Sequence, residues 1–186
     1  MEQTSTCTAT PTERIAFRGN ALVIDLAWSF GDDLDLAAYC VAPGSEPGHV
    51  VYFDNQGKRT VAPHVHLARM SDGDGRSKTR REHLILTNVS ANEAVFIFVW
   101  DHDAVLAGKP AAFMMNPDSY ELTVRDRRNR KTRLLANDPE EGNCMLYAAI
   151  DESGIHRTQV TDQLTGFNRL QQALIGMAQI SGWSEL

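Results

Sequence analysis

The chain predicts an all-β fold, a two-sheet antiparallel β-sandwich with a C-terminal amphipathic α-helix. Three observations carry this. Apolar residues recur with a period of two through most of the chain, the apolar runs are short, and turn residues break them at close intervals. Leu22, Ile24, Leu26 and Trp28 alternate with Val23, Asp25 and Ala27. Leu34, Leu36, Ala38 and Cys40 alternate with Asp33, Asp35, Ala37 and Tyr39. Residues two apart share one face of a strand, so each series buries one face. Residues 48–54 and 82–87 read as further strands. Residues 94–100 are apolar at every position, which suits a central strand covered on both sides. Residues 119–126 and 131–136 flank Arg127-Arg128-Asn129-Arg130 as a hairpin, and 145–151 and 154–160 flank Glu152-Ser153 as another. Pro43-Gly44, Gly57, Gly75, Gly108 and Asn116-Pro117 mark turns.

The period changes near the end. Leu164, Phe167, Leu170, Leu174 and Met177 recur at steps of three and four. That spacing predicts a helix over 162–180, with Thr161 or Asp162 capping its start and Gly182 beyond its end. The domain plan is therefore a flexible N-terminal tail over 1–12, the sandwich over 13–161, and a helical segment over 162–186 that packs on the domain or on a partner. The second option leaves a homo-oligomer open.

A chain of 186 residues with 42% hydrophobic content has enough apolar surface for one domain with a real core. The net charge of −6 argues against a general nucleic-acid binder. No apolar run approaches a membrane span, and the Thr-rich start lacks the basic and apolar regions of a signal peptide, so a cytoplasmic location is expected. Cys7, Cys40 and Cys144 are far apart and odd in number, which fits reduced thiols better than a disulfide framework or a zinc knuckle.

The chemistry concentrates in three acidic stretches. Asp33 and Asp35 lie two apart at a strand start, about 6.6 Å along the chain, where like charges repel unless a cation sits between them. Ca²⁺ takes six to eight oxygens, so two carboxylates do not suffice. Asp54 and Asn55 supply oxygens from a second loop, and Asp72 and Asp74 from a third, in which Gly73 and Gly75 allow a tight fold around an ion. The plainer reading of Asp72-Gly73-Asp74-Gly75 is a solvated turn, since these are turn residues. That reading is weaker for Asp33 and Asp35, which alternate with leucines where acids are disfavoured. The spacing matches no EF-hand.

Other candidates carry less. His64 and His66 share a strand face and bind zinc if His83, His102 or Asp101 supplies a third ligand; a partly exposed strand pair is the ordinary alternative. Asp101 and His102 are adjacent strand residues that face opposite ways, so the dipeptide is no acid–base dyad. No P-loop, nucleophile elbow or dinucleotide glycine motif is present. Basic residues form two knots, Arg76, Lys78, Arg80 and Arg81, then Arg125, Arg127, Arg128, Arg130, Lys131 and Arg133. The second is an anion-binding edge or a charged hairpin that blunts edge pairing. Without interleaved aromatics it is no platform for single-stranded nucleic acid.

Ile24-Asp25-Leu26-Ala27-Trp28 followed by Asp33-Leu34-Asp35-Leu36-Ala37-Ala38-Tyr39 resembles the opening of the TerD family of tellurium-resistance and stress-response proteins. Val51-Tyr52-Phe53-Asp54-Asn55, the His64/His66 region, the Asp-Gly-Asp-Gly loop, Glu82-His83-Leu84-Ile85-Leu86, the strand 95–100 and Leu146-Tyr147-Ala148-Ala149 follow in that family's order. The resemblance spans roughly residues 22–154. It implies a β-sandwich, Ca²⁺ at loops on one end with Glu82 among the ligands, and no enzymatic activity. It also implies a role in bacterial stress response or tellurite resistance through partner proteins near the cytoplasmic membrane surface. One departure stands out: Thr79, Arg80 and Arg81 precede Glu82 where the family carries an acidic run. Positive charge there weakens cation binding. The alternative is thus a metal-free interaction domain with a degenerate calcium site, whose basic surface binds an acidic partner or membrane.

Overall fold

The computed structural model describes residues 14–29, 33–44, 48–69, 79–116, 118–134, 136 and 140–183. Asp72 and Asp74 therefore lie outside the described residues, as does the tail over 1–12. Eleven strands are described: β1 (Arg14–Ile15), β2 (Leu22–Ser29), β3 (Leu34–Val41), β4 (His49–Val51), β5 (Val65–Arg69), β6 (Thr79–Leu86), β7 (Ala94–Asp101), β8 (Tyr120–Asp126), β9 (Lys131–Leu134), β10 (Cys144–Asp151) and β11 (Gly154–Asp162). Three α-helices, α1 (His102–Ala107), α2 (Ala112–Met115) and α3 (Leu170–Ile180), and a 3-10 turn at Val89–Ala91 are described with them. The strands form two antiparallel sheets, one in the order β1-β11-β10-β7-β3-β4 and the other β5-β6-β2-β8-β9. The predicted β-sandwich with a C-terminal helix is what the chain forms.

The period-two patterns become the core. Leu22, Ile24 and Leu26 of β2 and Leu84 and Leu86 of β6 face Leu34, Leu36, Val95, Ile97 and Val99 of the first sheet. The opposite face of that first sheet is also buried. There Ala37, Tyr39, Phe96, Phe98, Trp100 and Leu146 lie under Leu170, Leu174 and Met177 of α3. Strand β7 is buried at all eight positions, which is why its sequence shows no alternation.

Strand β10 breaks the alternation between these two layers. Its register shifts between Leu146 and Ala148 against both β7 and β11. As a result Tyr147 and Ala148, neighbours in sequence, both enter the layer between the sheets. There Tyr147 shares a hydrogen bond with the Tyr120 hydroxyl.

Several boundaries differ from the sequence-based expectation. The helix starts at Leu170, not near Asp162, and its first residue follows Arg169, which makes no side-chain cap. Asp162 instead remains paired with Cys144 at the end of β11, and Gly166 then takes a positive φ of 70°. Leu164 and Phe167 mimicked helical spacing from within that turn. The expected strand over 48–54 ends at Val51, and Tyr52 and Asn55 then exchange backbone hydrogen bonds across a tight turn. Strand β6 starts three residues before Glu82. His64 precedes β5 with a positive φ of 62°, so it and His66 do not share one strand face. Asp101 does not merely end β7: its carboxylate caps α1 by accepting from the Ala104 N–H at 2.9 Å. No described helix is long and apolar enough to cross a membrane.

Candidate functional site

The acidic pole forms where one strand outruns its neighbour. Strand β4 pairs with β3 only at Ala38, Tyr39 and Cys40. The amide of Leu36 lies beyond that pairing and needs another acceptor. Glu82 supplies it from the opposite sheet: its Oε2 accepts from the Leu36 N–H at 2.7 Å, with the residue 4% exposed. A carboxylate from one sheet thus holds an edge amide of the other, a charge-assisted bond worth roughly 1.5–3 kcal/mol.

Asp35 turns to the helix-covered face. Its buried Oδ2 accepts from Trp100 Nε1 at 3.0 Å and from His102 Nδ1 at 2.8 Å. Because a carboxylate only accepts, the proton of a neutral His102 sits on Nδ1. The His102 ring in turn lies 5.1 Å from the Phe53 ring and 4.8 Å from that of Phe167. Asp33, half exposed before the strand, takes Arg80 Nη1 on Oδ1 at 2.9 Å. Such an exposed ion pair contributes about 0–1 kcal/mol. Arg80 belongs to the basic stretch that departs from the family pattern, and here its guanidinium occupies the neighbourhood expected of a cation.

Asp54 and Asn55 sit on the turn that brings Phe53 to His102. Asn55 is exposed, and its side chain donates to the Val50 carbonyl at 2.8 Å. Burial, followed by the negative charge of Asp54, pushes the Tyr52 phenol above its ordinary value. The described structure therefore brings Asp33, Asp35 and Glu82 to one end of β3, with the 52–55 turn reaching them through Phe53 and His102. Among the described residues, no group of three or more His, Cys, Asp or Glu side chains has the arrangement of a metal site. Among the zinc candidates, His64 Nδ1 lies 3.2 Å from the Arg59 carbonyl and His66 Nδ1 3.1 Å from that of Gln56.

Register reveals a second cluster that the sequence reading missed. On the outer face of the β5-β6-β2-β8-β9 sheet, Asp25 pairs across strands with His83. Its Oδ1 binds His83 Nδ1, while its Oδ2 lies 3.5 Å from Arg125 Nη2. The available signal was an acid in the middle of an apolar alternation. The β10–β11 turn gathers Ser153, His156 and Asp151, yet Ser153 Oγ and Asp151 Oδ2 both approach the same His156 Nε2, at 3.2 and 3.1 Å. A proton relay needs both ring nitrogens, so this group organises the turn instead. Burial raises the Asp151 pKa, but the bonds from Ser153 and His156 outweigh it and leave the carboxyl below its ordinary value.

Among solved structures, the chain is similar to the crystal structure of a protein of unknown function, SAV2460, with a TM-score of 0.54 at 18% sequence identity, over 81% of this chain and 94% of that one. At that identity the likeness concerns the fold. No family model and no curated protein matches the chain.

Proposed function

We propose that the chain is a non-catalytic interaction module of TerD-like type, acting in stress or tellurite resistance through contacts with other proteins, and that its acidic pole holds its shape without calcium. The observation behind this is the identity of the donors: Arg80 on Asp33, Trp100 and His102 on Asp35, and the Leu36 amide on Glu82. Each carboxylate is met by a protein group, so the repulsion that called for a cation is relieved from within. Calcium binding, the second reading, draws support from Glu82 and Asp33 lying near the start of β6, the strand that follows Asp72 and Asp74 in sequence.

Thermal melts in 1 mM CaCl₂ and in chelator separate the two. An ion bound with a Kd near 10 μM adds about 2.7 kcal/mol at that concentration. For a domain of this size that is a rise in Tm of roughly 5–11 °C. The ion-independent reading expects superimposable melts; a calcium-dependent rise of that order overturns it.

A further inference from the structure

The second sheet turns one face away from the core. There Val23 of β2 pairs with Ile85 of β6 on one side and with Arg125 of β8 on the other, and Arg125 pairs with Lys131 of β9. Reading across the strands gives two apolar side chains, then two cations. Val23, Ile85 and Arg125 are half-buried and Lys131 is exposed. A groove of about 330 Å³ lies here, lined by Val23 and Ile85 and by Arg125, Arg127 and Asn129.

Two cations in and beside this groove, Arg127 and Lys131, are not paired with an acid among the described residues. Asp126, the acid among the lining residues, is saturated by Arg130 Nε and Nη2 at 2.8 and 2.7 Å and by the N–H groups of Arg18, Arg128 and Arg130. Arg125 Nη2 forms a long ion pair with Asp25 at 3.5 Å, while its Nε is buried without a hydrogen-bond partner and keeps donor capacity to spare. A chain of net charge −6 thus gathers three cations on and beside one sheet face, one of them paired at long range with Asp25, next to an apolar strip.

We propose that this face docks an extended acidic segment of a partner protein with the pattern apolar–x–acid–x–acid, an inference that rests on the interaction-module reading above. The spacing argues for it. Strands lie about 4.8 Å apart, so the midpoint of the Ile85–Val23 pair is about 7 Å from Arg125 and about 12 Å from Lys131. In an extended peptide crossing the strands, alternate side chains on one face recur at about 6.8 Å. An apolar side chain seated on Val23 and Ile85 therefore places the next two same-face side chains over Arg125 and Lys131. Carboxylates there meet the guanidinium and the ammonium, and Arg127 lines the same groove.

Fluorescence anisotropy with a labelled peptide Gly-Ser-Leu-Ser-Glu-Ser-Glu-Gly, in low salt, tests the proposal. Binding is expected, weakened about tenfold or more when both Glu are Gln, when Leu is Ser, or when the protein carries Lys131→Glu. Lys131 is exposed on edge strand β9, so that variant should keep its fold. Arg125→Gln, checked for native circular dichroism, is the second variant and should weaken binding similarly. No binding of the acidic peptide, equal binding of its Gln form, an unchanged affinity in both variants, or binding to vesicles of phosphatidylcholine and phosphatidylglycerol in place of the peptide overturns the proposal. The calcium melts read the opposite pole. Calcium dependence there with intact peptide binding here sinks only the ion-independent reading; flat melts with no peptide binding sink only the docking site.

Discussion

Asn143 offers the sharpest test of how this fold is held. It is fully buried at the entry to β10. Its Nδ2 donates to the carbonyls of Leu164 at 2.9 Å, Lys109 at 3.1 Å and Ala104 at 3.4 Å, and its Oδ1 accepts from the Leu164 N–H at 2.8 Å. One side chain thus ties the end of α1, the segment after it and the exit from β11 to the central sheet. Asn143→Ala leaves the Leu164 N–H and carbonyl without their partner in a buried setting. Each of those two groups costs about 1–3 kcal/mol when stranded, and the longer bonds to Lys109 and Ala104 add less. The expected loss is about 3–5 kcal/mol, a fall in Tm of roughly 6–20 °C. Asn143→Asp is no rescue: its shape fits, but an anionic oxygen then faces three carbonyls. Urea unfolding followed by circular dichroism measures both variants, with a lower midpoint and an unchanged slope expected. A loss below about 1 kcal/mol for Asn143→Ala refutes the assignment of this residue as the tie.

Two further outcomes follow from single groups. Burial raises the Asp126 pKa, but Arg130 and the backbone N–H groups around the hairpin bring the carboxyl from 3.8 down to about 2. A group lowered on folding stabilises above its unfolded value and stops doing so as pH falls through the folded one. Asp126 therefore contributes fully above a pH of about 4 and progressively less towards about 2, and Asp126→Asn should flatten the acid limb of the stability curve in that window; an identical acid limb rules this out. Gly48 stands where an added Cβ would lie 2.3 Å from the Cys40 carbonyl oxygen and 2.8 Å from the Tyr39 ring. Gly48→Ala should separate β4 from β3 and raise amide hydrogen exchange at β4 selectively. Exchange as slow as in the wild type argues that the backbone accommodates the methyl group.

Much of the sandwich was legible because burial leaves a periodic trace. Strands β2 and β3 alternate since each turns alternate side chains into different layers, and β7 is uniformly apolar since both of its faces are covered. The start of α3 was not legible, because Leu164 and Phe167 are apolar for a different reason: they pack from a turn on the same layer that the helix covers. The acidic pole was legible as composition and illegible as pairing. Asp33, Asp35, Glu82 and the basic residues beside Glu82 were all visible in the chain. The partner of Glu82, however, is a backbone amide exposed by the short length of β4, which no side-chain motif records. The donors to Asp35 lie more than sixty residues away and meet it only through the register of β3 with β7. Asp25, His83 and Arg125 became a cluster by the same route.

The irregularity in β10 carries one more consequence. Tyr147 is the extra residue against β7: Leu146 and Ala148, on either side of it, oppose the consecutive residues Phe98 and Ile97, so the strand keeps step with β7 as if the tyrosine were not counted. Deleting Tyr147 would restore an even ladder and leave the faces as they are: Ala148 and Ile150 would stay between the sheets and Ala149 towards the helix, while the inner layer would lose one large side chain. The tyrosine is thus a spare residue the ladder tolerates, and its hydroxyl bond to Tyr120 of β8 fastens it to the facing sheet.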